Sequence, residues 1–414
     1  MTMFARLYDQ ISRPLFALGL VVCLGVCTPF GAGATADDTP PPVQAIPYDQ
    51  AVVKAADTLF SKANLPTASG GATTRYVVVI DPLIDGMTGA QSVATESMEK
   101  RIVELVKAKY PQFDVQPFTA ANIARSPLVF VGTFTPVNQQ GQTAGDRDIY
   151  RICFALLDIN SGKIISKARE FSQPAGVDIT PTRFFKDSPA WTQDPAVEGY
   201  IKTCQGTQPG DPINELYWHR IMAASLINEA IAAYDSGNYR RSRSLYQDAL
   251  KMDGGDQLRV YNGLYLTNWQ LGQRAEAGQA FGKIVDHGLN NRRLGVKFLF
   301  KPGSTEFYGD RKASKQYGLW LDRIAHRASL SQTCLEIVGH TSRTGPEPLN
   351  ERLSQLRAGR VKQGLEAQVS SLANRTIANG VGSRETLVGT GTDDARDALD
   401  RRVEFRVIDC SKPG

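Results

Sequence analysis

Apolar residues follow two different periods along this chain, and the change of period divides it. From residue 75 to 171 short apolar runs dominate. Residues 77–80 and 128–134 read as strands, and 92–110 reads as a helix with Met98, Ile102, Leu105 and Val106 on one face. Residues 149–159 and 163–171 flank Asn160, Ser161 and Gly162, a turn cluster that closes a hairpin. Residues 172–212 are rich in Pro, Gly, Asp and Thr and read as irregular. From 213 to 289 the period becomes helical, and two segments match at a spacing of 35: Gly237, Tyr239, Ser242, Tyr246, Ala249 against Gly272, Arg274, Ala277, Phe281, Ile284. Beyond 290 strands alternate with helices again: strand 297–301, helix 312–328, strand 333–338, a long helix 349–368, then strands 385–388 and 403–408. That order predicts an α/β sandwich, one sheet with helices on one side.

The long helix carries the first sign of chemistry. At 100° per residue Leu349, Leu353, Leu356, Val361 and Leu365 define its apolar face, with Asn350 and Arg357 in the middle. A buried arginine without a partner costs several kcal/mol. Arg357 therefore either snorkels or meets a structural carboxylate, or it presents a planar guanidinium to a carboxylate-bearing ligand, a geometry that suits arginine better than lysine.

The first 36 residues change the compartment. Arg6 and Arg13 precede a 13-residue uncharged run, 15–27, and Ala34 and Ala36 stand before Asp37, the order of a secretory signal peptide. The run is short of the ~20 residues of a spanning helix. Lipidation at Cys23 or Cys27 is the rival, but a valine precedes each. A Pro-rich tether and lead-in then covers 37–74. Removal of the signal leaves Cys153, Cys204, Cys334 and Cys410, an even number for an oxidising compartment; domain boundaries favour Cys153 with Cys204 and Cys334 with Cys410, against four inert thiols.

The chain's +5 charge is uneven: residues 290–414 hold 21 Lys and Arg against 14 Asp and Glu, leaving −2 for the rest. No aromatic-interleaved basic stripe accompanies it, so nucleic acid is not expected. Ser97 to Lys100 fits S-x-x-K without the further motifs of an acylating enzyme. His219, His287, His326 and His340 show no metal-ligand spacing. The expectation is a non-enzymatic protein with no cofactor, no metal and no transmembrane segment in the mature chain.

Three separated blocks carry a resemblance. GHTSRTGPEPLNERLSQLRAGRV, with DRRVEF downstream and KFLFKPGSTEF before it, resembles the OmpA-like peptidoglycan-binding domain, whose pattern is GHTD-x-x-G, N-x-x-L-S-x-x-R-A and N-R-R-V-E. The resemblance implies recognition of the diaminopimelate residue of the peptidoglycan stem, its carboxylate by Arg357 with Asn350, Thr344 and Arg401 in support. It implies an ammonium partner at Ser342, where the family has aspartate. A neutral hydrogen bond contributes roughly 1 kcal/mol less than a charged one, about tenfold in affinity or somewhat less, unless Glu347 or Asp400 compensates. Residues 75–171 resemble, without a diagnostic site, periplasmic lipoprotein domains related to penicillin-binding-protein activators, and the helical repeat resembles tetratricopeptide repeats.

The resulting expectation is an α/β multidomain chain: signal peptide 1–36, tether 37–74, α/β domain 75–212, helical repeat 213–289 and an OmpA-like domain 290–414. It would be exported to the periplasm of a Gram-negative-type envelope, associated with peptidoglycan at the outer membrane as the resemblance implies, and would dock on peptidoglycan while the repeat holds a protein partner. The alternative is a periplasmic adaptor whose OmpA-like domain has lost or weakened wall binding, as Ser342 suggests, or serves as a dimer or partner surface.

Overall fold

The computed structural model describes residues 42–65, 75–125, 127–301, 303–309 and 311–411. The expected signal peptide, its Ala34 and Ala36, and Cys23 and Cys27 lie outside the described residues. The chain from Pro42 onward is one compact unit.

Its first layer system surrounds a sheet of β1 (Tyr76–Ile80), β2 (Ile84–Asp85), β3 (Phe113–Gln116), β4 (Leu128–Val137), β5 (Ile149–Asp158) and β6 (Lys163–Ser172), in the order β3-β1-β4-β5-β6 with β2 beside β4. β1 runs parallel to β3 and β4, while β4, β5 and β6 form an antiparallel meander. Every residue of β4 is buried because both faces are covered. Alternate residues separate the two cores. Phe130 and Phe134 point to α1 (Tyr48–Ser61) and α2 (Val93–Lys109), and Val129 and Val131 to the opposite side. Thus the expected tether contains a core helix: Ala51, Val52, Ala55, Ala56, Leu59 and Phe60 recur at helical spacing and are buried. The Pro-rich segment before it masked that period. Ser92 and Thr95 close a reciprocal capping box that starts α2.

One-turn helices α3 (Ala120–Ile123) and α4 (Arg183–Asp187), the short strand β7 (Ala190–Trp191), α5 (Pro195–Gln205) and one-turn α6 (Glu215–Trp218) follow. Hence 172–212 is not uniformly irregular. Asp194 caps α5 through the Ala196 N–H, with Pro195 in the first turn, a start signal hidden in a loop-like composition. Tyr200, Cys204 and Tyr217 cover the second face of the sheet.

The helical segment forms α7 (Ile221–Asp235), α8 (Tyr239–Lys251), α9 (Leu258–Gln270) and α10 (Arg274–Asn290). Gly237 and Gly272, with φ of +80° and +78°, follow α7 and α9 at equivalent places, where the left-handed conformation favours glycine. Tyr246 and Phe281 are fully buried.

The last sheet has the order β10-β9-β11-β8-β7, with β8 (Arg293–Val296), β9 (Cys334–Gly339), β10 (Thr376–Gly380) and β11 (Val403–Ile408). Helices α11 (Arg311–Leu330) and α12 (Glu347–Gln368) pack with it. β10 is parallel to β9, and β11 is antiparallel to both β9 and β8. Two expected strands are displaced. Residues 297–301 leave the sheet after β8, and their aromatic residues, Phe298 and Phe300, enter or flank the core from a turn. Residues 385–388 are not a strand, because the N–H groups of Leu387, Val388 and Gly389 turn onto the Asp400 carboxylate.

The expected boundaries at 212 and 289 are not boundaries of packing. β7 adds the edge strand to the last sheet, and one core runs from Phe184 through Tyr246 and Phe281 to Phe298, Trp320 and Phe405. Trp320 donates to the Tyr265 hydroxyl at 2.8 Å and stacks on Phe281 with centroids 5.6 Å apart.

Cys334 and Cys410 form a disulfide, as expected. Cys153 and Cys204 do not. They are brought together, but both are free buried thiols, and the Cys153 Sγ–H points at the Cys204 carbonyl at 2.7 Å rather than forming a bond to its sulfur.

Candidate functional site

The site lies where α12 crosses the ends of β9 and β10. The approach is close enough to require glycine: a Cβ on Gly339 would stand 2.0 Å from the Ser354 carbonyl oxygen, and one on Gly380 would stand 2.3 Å from the Gln355 nitrogen. The buried face of α12 consists of Asn350, Ser354, Arg357, Ala358, Val361 and Leu365. Leu349 and Leu356 are 60% and 51% exposed, so of the expected stripe only its C-terminal part, Val361 and Leu365, lies in the core. The polar residues face inward because they hold the turn after β9 and the segment around 304, contacts that a hydrophobic count does not register.

Arg357 is 7% exposed. Its Nε donates to the Ser304 carbonyl at 3.1 Å, its Nη2 donates to the Lys301 carbonyl at 3.3 Å, and the guanidinium lies 5.0 Å from the centre of the Phe300 ring. No carboxylate among the described residues forms an ion pair with it. Burial pulls its pKa down to about 10, with Asp393 raising it and Arg401 lowering it, so it remains a cation at neutral pH. Of the sequence readings, snorkelling does not hold for a side chain so buried, and no structural carboxylate pairs with it among the described residues. What remains is a desolvated guanidinium held by carbonyls and an aromatic face.

Ser342 is 4% exposed, and its hydroxyl donates to Asp393 Oδ1 at 3.0 Å. Asp393 also accepts from Arg401 Nη1 at 2.6 Å. Burial raises the Asp393 pKa, but the Arg401 and Ser342 hydrogen bonds outweigh it and hold the group below the ordinary carboxylate range. A carboxylate therefore stands beside Ser342, supplied from a loop 51 residues downstream. Sequence comparison in register could not find it. The available signal was the acidic, glycine-flanked GTDDARD segment.

Neither expected substitute serves. Asp400 is fully buried and accepts three backbone N–H bonds at 2.6–2.9 Å. Glu347 accepts from the Ser383 N–H at 3.1 Å and faces Arg384. Arg401 also departs from the expectation: it is bound to Asp393, Asp397 and the Asp394 carbonyl, so it orients the acid instead of offering itself to a ligand carboxylate. Thr344 ties the two loops by donating to the Gly391 carbonyl at 3.2 Å. Asn350 donates long bonds to the Ser342 and Gly345 carbonyls, shaping the turn.

His340 is 2% exposed beneath this surface, with Nε2 3.6 Å from Glu404. Burial lowers its pKa, so it is neutral. Glu404 pairs with Arg402, Arg293 and Arg406. The donors of His340, Glu385 and Glu404 lie within 4.8 Å of one another, but those guanidiniums already supply the positive charge a metal would bring.

Residues 299–399 match the OmpA family, so the C-terminal part of this chain carries an OmpA domain. The chain is 36% identical over 119 residues to outer membrane porin F of Pseudomonas fluorescens, which covers 28% of this chain and 32% of the porin. It thus spans about a third of that relative's length. Among solved structures it is similar to the cell wall anchor of the T6SS from Pseudomonas aeruginosa, at 25% identity, 28% of this chain, 80% of the other and a TM-score of 0.23. It is also similar to the peptidoglycan-associated lipoprotein from Burkholderia pseudomallei, at 26% identity, 28% and 89% coverage and a TM-score of 0.22. Among the described residues no helix is long and apolar enough to cross a membrane.

Proposed function

We propose that this protein binds the peptide stem of peptidoglycan non-covalently, without breaking a bond, as an exported component of the cell envelope. The observation that carries the reading is Arg357: a buried cation with no acid partner among the described residues, beside a loop that presents Asp393. The stem's diaminopimelate has a carboxylate and an ammonium on one carbon. Arg357 takes the carboxylate, and Asp393, oriented by Ser342 and Arg401, takes the ammonium. The departure at Ser342 then relocates the charge instead of removing it, which weakens the case for an adaptor without wall binding. The four-helix segment, with its tetratricopeptide-like positions, and the N-terminal layers present surfaces to envelope partners.

The test is co-sedimentation of the chain from residue 37 onward with purified sacculi at moderate salt. Arg357→Ala and Asp393→Asn are each expected to weaken retention about tenfold, the loss of one charge-assisted contact. Equal retention of both variants and the parent would reject the stem pocket.

A further inference from the structure

A second concave site lies away from the α12 turn, where the sheet of β4, the helical segment and the OmpA domain meet. About 1030 Å³ of atom-free space, part of it open to solvent, is walled by Phe134, Phe184, Trp191, Leu258, Val388 and Leu399. Apolar and aromatic walls with a few polar groups among them suit the body of a small ligand.

Its polar groups are unevenly satisfied. The two acids that line it are committed: Asp85 accepts from the Met87 and Thr88 N–H groups, and Asp194 from those of Ala196 and Leu258. Arg396 is paired with Asp394. Among the described residues the remaining interior cations form no ion pair, although Asp81 and Asp194 favour the charge on Arg259. Lys297 Nζ donates to the carbonyls of Phe185 and Lys186 at 3.1 and 2.9 Å, and Arg259 donates to the Gly89 carbonyl at 2.8 Å while lying 5.7 Å from the Phe185 ring centre. Both cations thus touch Phe185. Burial pushes the Lys297 pKa down to about 8, opposed by Asp187. Asn262, 4% exposed, uses its amide N–H on the Ala190 carbonyl at 3.0 Å, and that bond fixes its orientation; its Oδ1 has no partner among the described residues. An unpartnered acceptor in a buried wall requires a donor from whatever fills the space.

We propose that this cleft binds an amphipathic monoanion: an apolar chain or ring system ending in a carboxylate, which Lys297 and Arg259 receive, with a ligand hydroxyl or amide N–H free to meet Asn262. The site is separate from the stem pocket. Lysine and arginine whose donors reach only carbonyls gain a charge-assisted bond when an anion enters, and the aromatic walls cover its body.

The experiment is calorimetric titration of the chain from residue 37 onward with sodium laurate below its micelle concentration, alongside dodecyltrimethylammonium of the same chain length. Saturable laurate binding is expected, with the cationic amphiphile at least about tenfold weaker. Lys297→Met should weaken laurate about tenfold and Lys297→Arg should retain it, each checked for folding by circular dichroism. Absence of saturable laurate binding overturns the proposal. So does equal binding of the cationic amphiphile, a result that needs no variant, or a folded Lys297→Met chain with unchanged affinity.

Discussion

At the scale of single residues, charge position matters more than residue identity. Ser342 looks like the loss of an acid, yet Asp393 stands 3.0 Å from its hydroxyl and restores the negative charge from another part of the chain. This changes what Ser342→Asp is expected to do. Two carboxylates at that separation repel, so the single substitution should not strengthen sacculus binding. The exchange Ser342→Asp with Asp393→Ser should keep binding within about threefold of the parent in co-sedimentation, a difference of well under 1.4 kcal/mol. A loss as large as that of Asp393→Asn would show that the backbone around 393, with its φ of +57°, is itself required.

At the scale of elements, burial of a carboxyl sets a pH dependence and a cross-link sets a dependence on redox state. Glu99 on α2 accepts from the Leu83 N–H at 2.7 Å, and burial raises its pKa to about 8, with neighbouring Asp81 and Glu96 adding to the rise. A carboxyl whose folded pKa lies above its unfolded value binds its proton more tightly when folded. Its contribution to stability is therefore complete below the ordinary carboxylate range and is lost as pH rises towards 8. Urea unfolding of Glu99→Gln should accordingly decline less than the parent between pH 5 and 8. The cysteines give a second element-scale expectation. The Cys334–Cys410 bond joins the start of β9 to the segment after β11 across 76 residues of sequence, so Cys334→Ala with Cys410→Ala should cost about 4 kcal/mol in the chain-entropy account, read as a lower denaturation midpoint. Cys153 and Cys204, buried and free, should react with a thiol reagent only after unfolding.

For the whole molecule, the shared core makes the OmpA domain dependent on what precedes it. Phe298, Tyr317 and Trp320 pack together, and Trp320 leans on Tyr265 and Phe281 of the helical segment. Excision of residues 290–414 would also remove the edge strand Ala190–Trp191 from its sheet. That fragment should melt at a lower temperature than the parent and bind a dye specific for exposed apolar surface, measurable by fluorescence. An unchanged melting transition would show that the domain is autonomous despite the common core.

The amino-acid sequence by itself determined the local elements whose period is strong: the β4–β5–β6 run, α2, the four helices, α12 and the three blocks of the OmpA pattern with Arg357 among them. It also placed Cys334 and Cys410 as partners. These features depend on neighbours within a few turns, or on residue types that only a few backbone arrangements accept. The tertiary structure alone decided that α1 belongs to the core, that residues 385–388 wrap a buried carboxylate, that α12 turns Leu349 and Leu356 outward while Leu365 stays buried, and that Asp393 stands beside Ser342. Each of these is set by contacts between residues far apart in sequence, where burial and charge pairing overrule local periodicity and no spacing rule applies.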